Sequence, residues 1–496
     1  MNNTGAREVV HAVARSGPIA LLLATALAIA ESSLAAAAPI KLHPANPRYF
    51  QWRGQPTIII TSGEHYGAVL NLDFDYRRYL DTLARDKLNG TRLWAGAYVE
   101  TAGNFKIAAN TLDPAPGRFI APWARSGEPG YADGGNKFDL TRWDEAFFKR
   151  LKDFVGYAAK QGVVVEVNLF CPMYEESMWA VCPMNARNNV NALGHIARQD
   201  PLTLDKSGGL LAVQEAMVRK FAAELREFDN VTFEIVNEPY IKKAPVPDAW
   251  QRHMTDVLVD AMKDWPQPFL ISWNIANGRA QVTNPHPAVS LFNFHYAAPP
   301  DTVALNWGLN RAIGDNETGF RGTHDTPYRT EAWDFILAGG ALFNHLDYSF
   351  AVGHEDGTYA YPPTQPGGGN PTLRRQFRIL RDFIHDFDFV RMKPDNSIIK
   401  GGIPAGGTAR ALVEPGGACA IYVRQTAATG KTPAQSPGSP VTAGLQVALP
   451  AGRWRAEWLD PKVGAVVARA AVEGAGIHTL NSPEFTDDIA LRIVRR

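Results

Sequence analysis

The sequence predicts a (β/α)₈ TIM barrel followed by a small all-β sandwich. Three observations carry that prediction. Eight short, β-branched and apolar segments recur between Thr57 and Asp347, most of them followed by a longer connection. Several of the connections carry helical stripes. After Pro394 the texture changes to polar–apolar alternation at period two.

The chain opens on a segment that reads as a leader. Arg7 and Arg15 precede the apolar run "IALLLATALAIA", and small residues follow in "SSLAAAAPI". A basic region, a short apolar core and an Ala-x-Ala site in that order form a secretory signal peptide. The run is too short to span a bilayer comfortably. Cleavage near Ala38 is expected, leaving a soluble protein, secreted or periplasmic, with no membrane partner. Residues 39–393 are then assigned to the barrel and residues 394–496 to the sandwich.

The barrel strands are read at "TIIITSG", "TRLWAG", "VVVEVNLF", "VTFEIVNEP", "FLISWN", "SLFNFHY", "RAIGDNE" and "ALFNHLD". Tyr76, Tyr79, Leu80 and Leu83 form one helical stripe, and Trp143, Phe147, Leu151 and Phe154 a second. Phe377, Leu380, Ile384 and Phe387 form a last one. Strands buried on both faces and alternating with helices imply a parallel sheet covered by helices. Eight such units over roughly 330 residues fit a barrel of typically ~250 residues before insertions. The segments "NPHPAV" and "DTVALNWGLN" lack a full helical pattern. The connection from Ala97 to Thr141 is long and without clear periodicity, as expected of a functional loop. In the last hundred residues, "ARALVEP", "CAIYVRQ", "RWRAEWLD" and "IALRIVRR" read as antiparallel strands, interrupted by a flexible loop from Thr426 to Gly444.

At 45% hydrophobic and 20% charged residues the composition is that of an ordinary globular protein. Lysine plus arginine equals aspartate plus glutamate at 50 each, which argues against nucleic acid or an anionic surface as the main partner. Twelve tryptophans suit sugar stacking, although core packing accounts for most of them. Cys171 and Cys182 flank the short loop "CPMYEESMWAVC", a spacing that permits a disulfide in an exported protein and leaves it open. No cysteine spacing suits zinc, and no metal or cofactor is expected.

Catalytic groups in such a barrel sit at the carboxyl ends of strands. Asn237 and Glu238 end the fourth strand in "VNEP". Glu317 ends the seventh in "IGDNETGF". Two carboxylates across one barrel mouth are what glycosidic cleavage requires: one protonates the leaving oxygen and one attacks the sugar carbon. Asp315, two residues before Glu317, points to the same face by strand alternation and is the alternative to it.

"VNEP" in this place resembles the signature of the clan-A glycoside hydrolases, the superfamily of many cellulases, mannanases and β-glycosidases. The resemblance extends over Thr57 to Phe389. It implies a retaining glycosidase in which Glu238 is the acid/base, Glu317 the nucleophile and Asn237 a hydrogen-bond partner of the sugar 2-hydroxyl. Arg92 in "TRLW" resembles the clan's second-strand arginine, which keeps the nucleophile ionised. His295 and Tyr296 end the sixth strand where the clan places a tyrosine on the nucleophile. Being adjacent, they are expected to face opposite sides, so that one of them reaches Glu317. Glu64 and His65 close the first strand, and His65 is either a substrate contact or a satisfied core histidine. Trp179, Trp273 and Trp94 are candidate stacking platforms, and Asp347 a candidate hydroxyl partner. As general acid, Glu238 needs a raised pKa.

Two other readings compete. One is a carbohydrate-binding protein on the same barrel without catalysis, against which both carboxylates argue. The other is a metal-dependent barrel hydrolase, for which "GEHYG" supplies one histidine and no His-x-His. The sandwich resembles the small β-domains that follow the barrel in several clan-A families, most simply as a packed accessory domain. Neither the sugar nor the oligomeric state is legible. The long loops Ala97–Thr141 and Cys171–His195 follow strand ends and rise over the site. Walls there, with Trp123, Tyr131, Trp179 and "NARNNVN", favour a pocket and action at chain ends or on short oligosaccharides.

Overall fold

All eight anticipated segments form one parallel sheet in the computed structural model, which describes Met1 and residues 38–425 and 439–496. The barrel strands are β1 (Ile59–Gly63), β2 (Gly90–Trp94), β3 (Val164–Phe170), β4 (Val231–Val236), β5 (Leu270–Asn277), β6 (Val289–His295), β7 (Ala312–Thr318) and β8 (Leu342–Leu346). Ladders run from β2 through β3 to β8 and on to β1. Side chains complete the circle between β1 and β2. Asn89 accepts the Ile60 N–H at 2.9 Å and donates to the Ile58 carbonyl at 2.9 Å, and the Thr61 hydroxyl donates to the Gly90 carbonyl. A Cβ on Gly90 would lie 2.5 Å from the Ile59 side chain, so the close approach at this seam requires glycine.

The helices follow the apolar stripes. α1 (Tyr76–Arg85) starts at Asp75 and α2 (Glu145–Lys160) at Asp144, each aspartate accepting two backbone N–H groups of the first turn. α3 (Leu210–Leu225), α4 (Asp248–Ala261), α6 (Asp325–Leu337) and α7 (Pro371–His385) complete the full-length set. Where the stripe is missing, so is the helix. Residues 278–288 have none, and the connection from β6 to β7 has only the six-residue α5 (Asp301–Asn306) and a single 3₁₀ turn. The long second connection contains an antiparallel hairpin, Trp123–Pro129 with Asn136–Trp143.

One element was not anticipated. Lys41–His43, Asn46–Trp52 and Gln55–Thr57 form a small antiparallel sheet. It is tied to the amino-terminal ends of the barrel strands by Trp52 and Arg53 on Asp229 and by Arg48 on the Trp307 carbonyl. Its short segments carry no period strong enough to separate from a loop.

The carboxyl-terminal strands form two antiparallel sheets, one of six strands and one of three, sharing a core of Ile421, Val423, Leu445, Val447, Trp454 and Ile493. The strand Ala418–Gln425 shows how period two divides one segment between two cores. Cys419, Ile421 and Val423 face the sandwich core, whereas Ala418, Ala420 and Tyr422 join the barrel cluster, with Tyr422 stacked on Trp333 of α6 at 5.4 Å. The buried pair Arg329–Asp488 (2.8 Å) joins α6 to the neighbouring strand, Asp488–Arg495. Residues 2–37, which carry the expected leader, and residues 426–438 of the expected flexible loop lie outside the described residues. No described helix is long and apolar enough to cross a membrane.

Candidate active site

The barrel mouth is shaped by departures from regular strand geometry. Glu238 follows β4 with φ 41°, Tyr296 follows β6 with φ 52°, and Tyr66 follows β1 with φ 66°. Non-glycine residues rarely occupy that region, and surrounding structure must hold them there. The Asn274 side chain does so for Glu238, accepting its N–H at 2.9 Å. A register shift acts at β7: Phe294 pairs with Asp315 but His295 pairs with Glu317, so Asn316 is an extra residue in the ladder.

That bulge and the positive φ of Tyr296 overturn two expectations. Asp315 does not share the face of Glu317. It accepts the Ala297 N–H at 3.2 Å and lies near Glu331 of α6, its carboxyl pushed far up by burial and by that neighbour. His295 and Tyr296 do not part company either, because the positive φ of Tyr296 turns its ring back over the mouth. The Tyr296 hydroxyl donates to Glu317 Oε1 at 2.9 Å, and His295 Nδ1 lies 3.6 Å from the same oxygen.

Glu238 and Glu317 face one another across this histidine. His295 Nδ1 is 3.1 Å from Glu238 Oε1, and the Tyr174 hydroxyl donates to Glu238 Oε2 at 2.8 Å. Arg92 donates to Glu317 Oε2 at 2.9 Å and to Asn237 Oδ1 at 2.7 Å, and it also pairs with Glu234. Asn237 returns a bond from Nδ2 to the Tyr174 hydroxyl at 2.8 Å. Arg92, Glu234, Asn237, Glu238, His295 and Glu317 are buried, and Tyr174 and Tyr296 are half-buried at the mouth.

The electrostatics differ from the expectation for a resting general acid. Burial pushes the Glu238 carboxyl up, but the hydrogen bond and charge of His295, with Tyr174 and Arg92, outweigh it and hold the carboxyl below its ordinary value. Burial alone would lower His295. The Glu317 and Glu238 carboxylates prevail and raise it. Between the two groups the proton therefore favours the imidazole.

Glu238, Glu317, Asn237, Tyr174 and Tyr296 line a cavity of about 440 Å³, within the range of small-molecule sites, whereas Arg92 and His295 stand behind them and do not reach it. His65 and Trp94 also line it. Trp179 and Trp273 do not, contrary to expectation. Trp179 donates from Nε1 to the Ile196 carbonyl (3.2 Å) beside a separate surface groove, and Trp273 points outward to Thr255 of α4 (3.0 Å). Asp347 is likewise withdrawn, paired with Arg374 at 2.8 Å and accepting from Ser62 at 3.0 Å. Glu64 is spent on the N–H groups of Gly67 and Ala68 and on Thr111.

The loops rise over the mouth as expected, but through other residues. Tyr98, Glu100 and Phe105 come from the first and Tyr174 and Glu175 from the second, while Trp123 and Tyr131 are buried within the loop packing. The sequence reading missed Tyr174, although its place directly after β3 in "CPMYEES" was the available signal. The cysteines of that motif are unbridged: Cys171 lies against Tyr174 and Asn237, and the Cys182 thiol donates to the Ala97 carbonyl.

Glu238, His295 and Glu317 each offer an atom within 4.8 Å of the others, a spacing a small cation could fill. Arg92 already supplies a positive charge to that carboxylate pair.

Residues 111–206, spanning the end of the first loop through β3 to the second, match a family described as a domain of unknown function, DUF6298. None of the curated proteins matches the chain. Solved structures are similar over nearly the whole length. A protein described as a glycoside hydrolase aligns with TM-score 0.60 at 12% identity, covering 92% of this chain and 97% of its own. A putative glycoside hydrolase from Bacteroides vulgatus aligns with TM-score 0.63 at 14% identity, covering 93% and 83%. A glycoside hydrolase family 5 protein from the same organism aligns with TM-score 0.59 at 12% identity, covering 92% and 93%. At these identities the likeness is one of fold.

Proposed function

We propose that the protein is a retaining glycoside hydrolase acting on an oligo- or polysaccharide, exported by its leader, with Glu317 as nucleophile and Glu238 as acid/base. One observation carries the reading: the two carboxylates end β4 and β7 and bring oxygens within 4.8 Å of each other across a sugar-sized cavity. Retaining enzymes need carboxyl groups about 5–5.5 Å apart, whereas inverting ones leave about 6.5–9.5 Å for a water. The fold shared with glycoside hydrolases supports the same reading.

In the first step Glu317 attacks the anomeric carbon while Glu238 gives its proton to the leaving oxygen. Arg92 and Tyr296 fix the Glu317 carboxylate for that attack. In the second step Glu238 takes a proton from water, and the water displaces Glu317 from the sugar. Substrate must first move the resting proton from His295 to Glu238. Filling the mouth removes water from both, and contact between Glu317 and the sugar weakens the charge that holds the imidazolium. Asn237 stands between Arg92 and Tyr174, positioned for a hydroxyl of the bound sugar.

A 2-deoxy-2-fluoro glycoside with an activated leaving group tests the assignment. The expected result is a stable ester, located by peptide mass spectrometry on Glu317. A label on another carboxylate, or hydrolysis with inversion seen by NMR, would overturn it.

A further inference from the structure

The cavity is unequal at its two ends. Tyr174 after β3, Phe105 after β2 and Phe320 after β7 meet edge to face, at 5.5 Å for Phe105–Tyr174 and 6.3 Å for Phe105–Phe320. Because β8 and β1 lie between β7 and β2, the Phe105–Phe320 contact arches over that side of the mouth. Among the described residues no aromatic contact crosses the opposite side, where Lys242 and Lys243 after β4 are exposed at the rim.

Under the arch the wall carries polar groups whose bonding capacity is unspent. Glu100 is 4% exposed and lines the cavity. Its Oε1 accepts from Tyr98 at 2.9 Å and its Oε2 from Asn110, which leaves two of the roughly four acceptor positions of a carboxylate open. Among the described residues its one ion-pair neighbour is His65, at 3.9 Å. His65 Nδ1 and Trp94 Nε1, from two further lining residues, are buried with no partner. Buried polar groups without partners are costly in a protein interior, so these two closed-off atoms mark a polar wall behind Glu100.

We infer that this closed side binds one neutral, non-reducing-terminal sugar residue, with Glu100 accepting its hydroxyls and setting the specificity. The orientation rests on the glycosidase reading. Glu238 must face the leaving oxygen, so the leaving group lies toward β4 and β5 and the residue being released lies toward β8, β1 and β2, under the arch. Neutrality follows from charge. Glu100, Glu238 and Glu317 line the cavity on this side while its lysines, Lys242 and Lys243, stand at the opposite rim, so a sugar carboxylate under the arch would be a like charge at close range in a poorly hydrated space. The site would release single residues from chain ends.

Isothermal titration of the full chain with methyl glycosides tests the inference without relying on turnover. A neutral methyl hexoside or pentoside is expected to bind, its uronate counterpart at least about tenfold more weakly. E100Q should weaken the neutral ligand about 10- to 100-fold, the range for a buried hydrogen bond to a charged group, and narrow the gap to the uronate. Removing the hydroxyl that Glu100 accepts should cost the native protein the same factor and cost E100Q nothing more. A methyl glycoside carrying a bulky ether on the hydroxyl farthest from its anomeric carbon should fail to bind the native protein and bind F320A. The uronate and deoxy comparisons on the native protein stand even if E100Q does not fold. Equal binding of uronate and neutral sugar, unchanged affinity in E100Q, binding of the blocked ligand by the native protein, or no binding of any neutral glycoside would overturn it. This binding pattern without hydrolysis of any aryl glycoside would uphold the site and sink the glycosidase reading, while hydrolysis without the pattern would do the reverse.

Discussion

Replacing Glu238 by alanine separates its chemical role from its structural one. Glu238 receives the Tyr174 hydroxyl at 2.8 Å and faces His295 Nδ1 at 3.1 Å, both inside the buried mouth. Removing the carboxylate leaves two donors unmet, at about 1–3 kcal/mol each, or about 2–6 kcal/mol together. Those donors and the Arg92 charge would remain around a vacated space suited to a small anion. Azide should enter it, restore the lost hydrogen bonds and attack the glycosyl-enzyme from the side Glu238 served. General-acid assistance is worth about 10²–10⁴ in rate, and a leaving group that departs without a proton does not need it. The assay is kcat/KM over aryl glycosides of increasing leaving-group pKa, with and without azide. E238A should lose about 10²–10⁴ on the poorest leaving groups and far less on the best. With azide and a β-glycoside it should form the β-glycosyl azide. A uniform loss across the series with no azide product would refute the acid/base role.

Other consequences can be measured directly. The His295 contribution to stability, from a raised folded pKa, is whole below the unfolded value of about 6.5 and is lost as pH rises through the folded value; that of Glu238, from a lowered pKa, is whole above about 4.5 and is lost as pH falls through its folded value. The melting-temperature difference between the native protein and H295N should therefore be largest between those limits and shrink in alkali, and a difference that grows from neutral to alkaline pH would contradict the pairing. All three thiols are buried and free, with Cys182 and Cys419 pushed up to about 12 by burial. Reductant should leave the melting temperature unchanged and alkylation should require unfolding; a mass showing Cys171 joined to Cys182 would be the contrary result. R329M breaks the buried pair with Asp488 and should cost about 3–5 kcal/mol in urea unfolding, with kcat/KM of the surviving folded enzyme unchanged; an unmoved midpoint would show that the pair does not hold the sandwich to α6.

What was legible in the sequence follows from which forces are local. The eight strands were readable because burial on both faces makes each a continuous apolar run, and α1, α2 and α7 because one face of each is apolar. Glu238 and Glu317 were readable because strand ends are fixed by those runs. The positions of Asp315, His295 and Tyr296 were misread for one reason: strict alternation was assumed across a bulge and a positive φ, both set by packing at the mouth. Trp179 and Trp273 failed as sugar platforms because a tryptophan's composition says nothing about which way its strand or loop turns it. Tyr174, Glu100, Phe105 and Phe320 depend on loops whose paths are fixed by long-range contacts such as Tyr131 on the Val181 carbonyl at 2.7 Å.

The interior of the barrel explains why Arg92 can act as a fixed charge. Barrels of this kind are usually filled by branched apolar side chains, yet here Glu166, Glu234, Ser272, Asn293 and Asn316 fill the layer beneath the mouth. Asn293 and Asn316 each donate to both Glu166 and Glu234, at 2.7–2.9 Å. Two carboxylates sharing donors in a dry interior do not both stay ionised at low cost. Burial and the charge of Glu234 push the Glu166 carboxyl up. Glu234 grips one end of the Arg92 guanidinium while the other end meets Glu317, and Glu166 lies 3.8 Å from Arg92 Nε. A planar fork held at both ends cannot swing. The polar layer thus costs apolar packing inside the barrel and, in return, fixes the carboxylate proposed as nucleophile to a rigid β-sheet framework rather than to a loop.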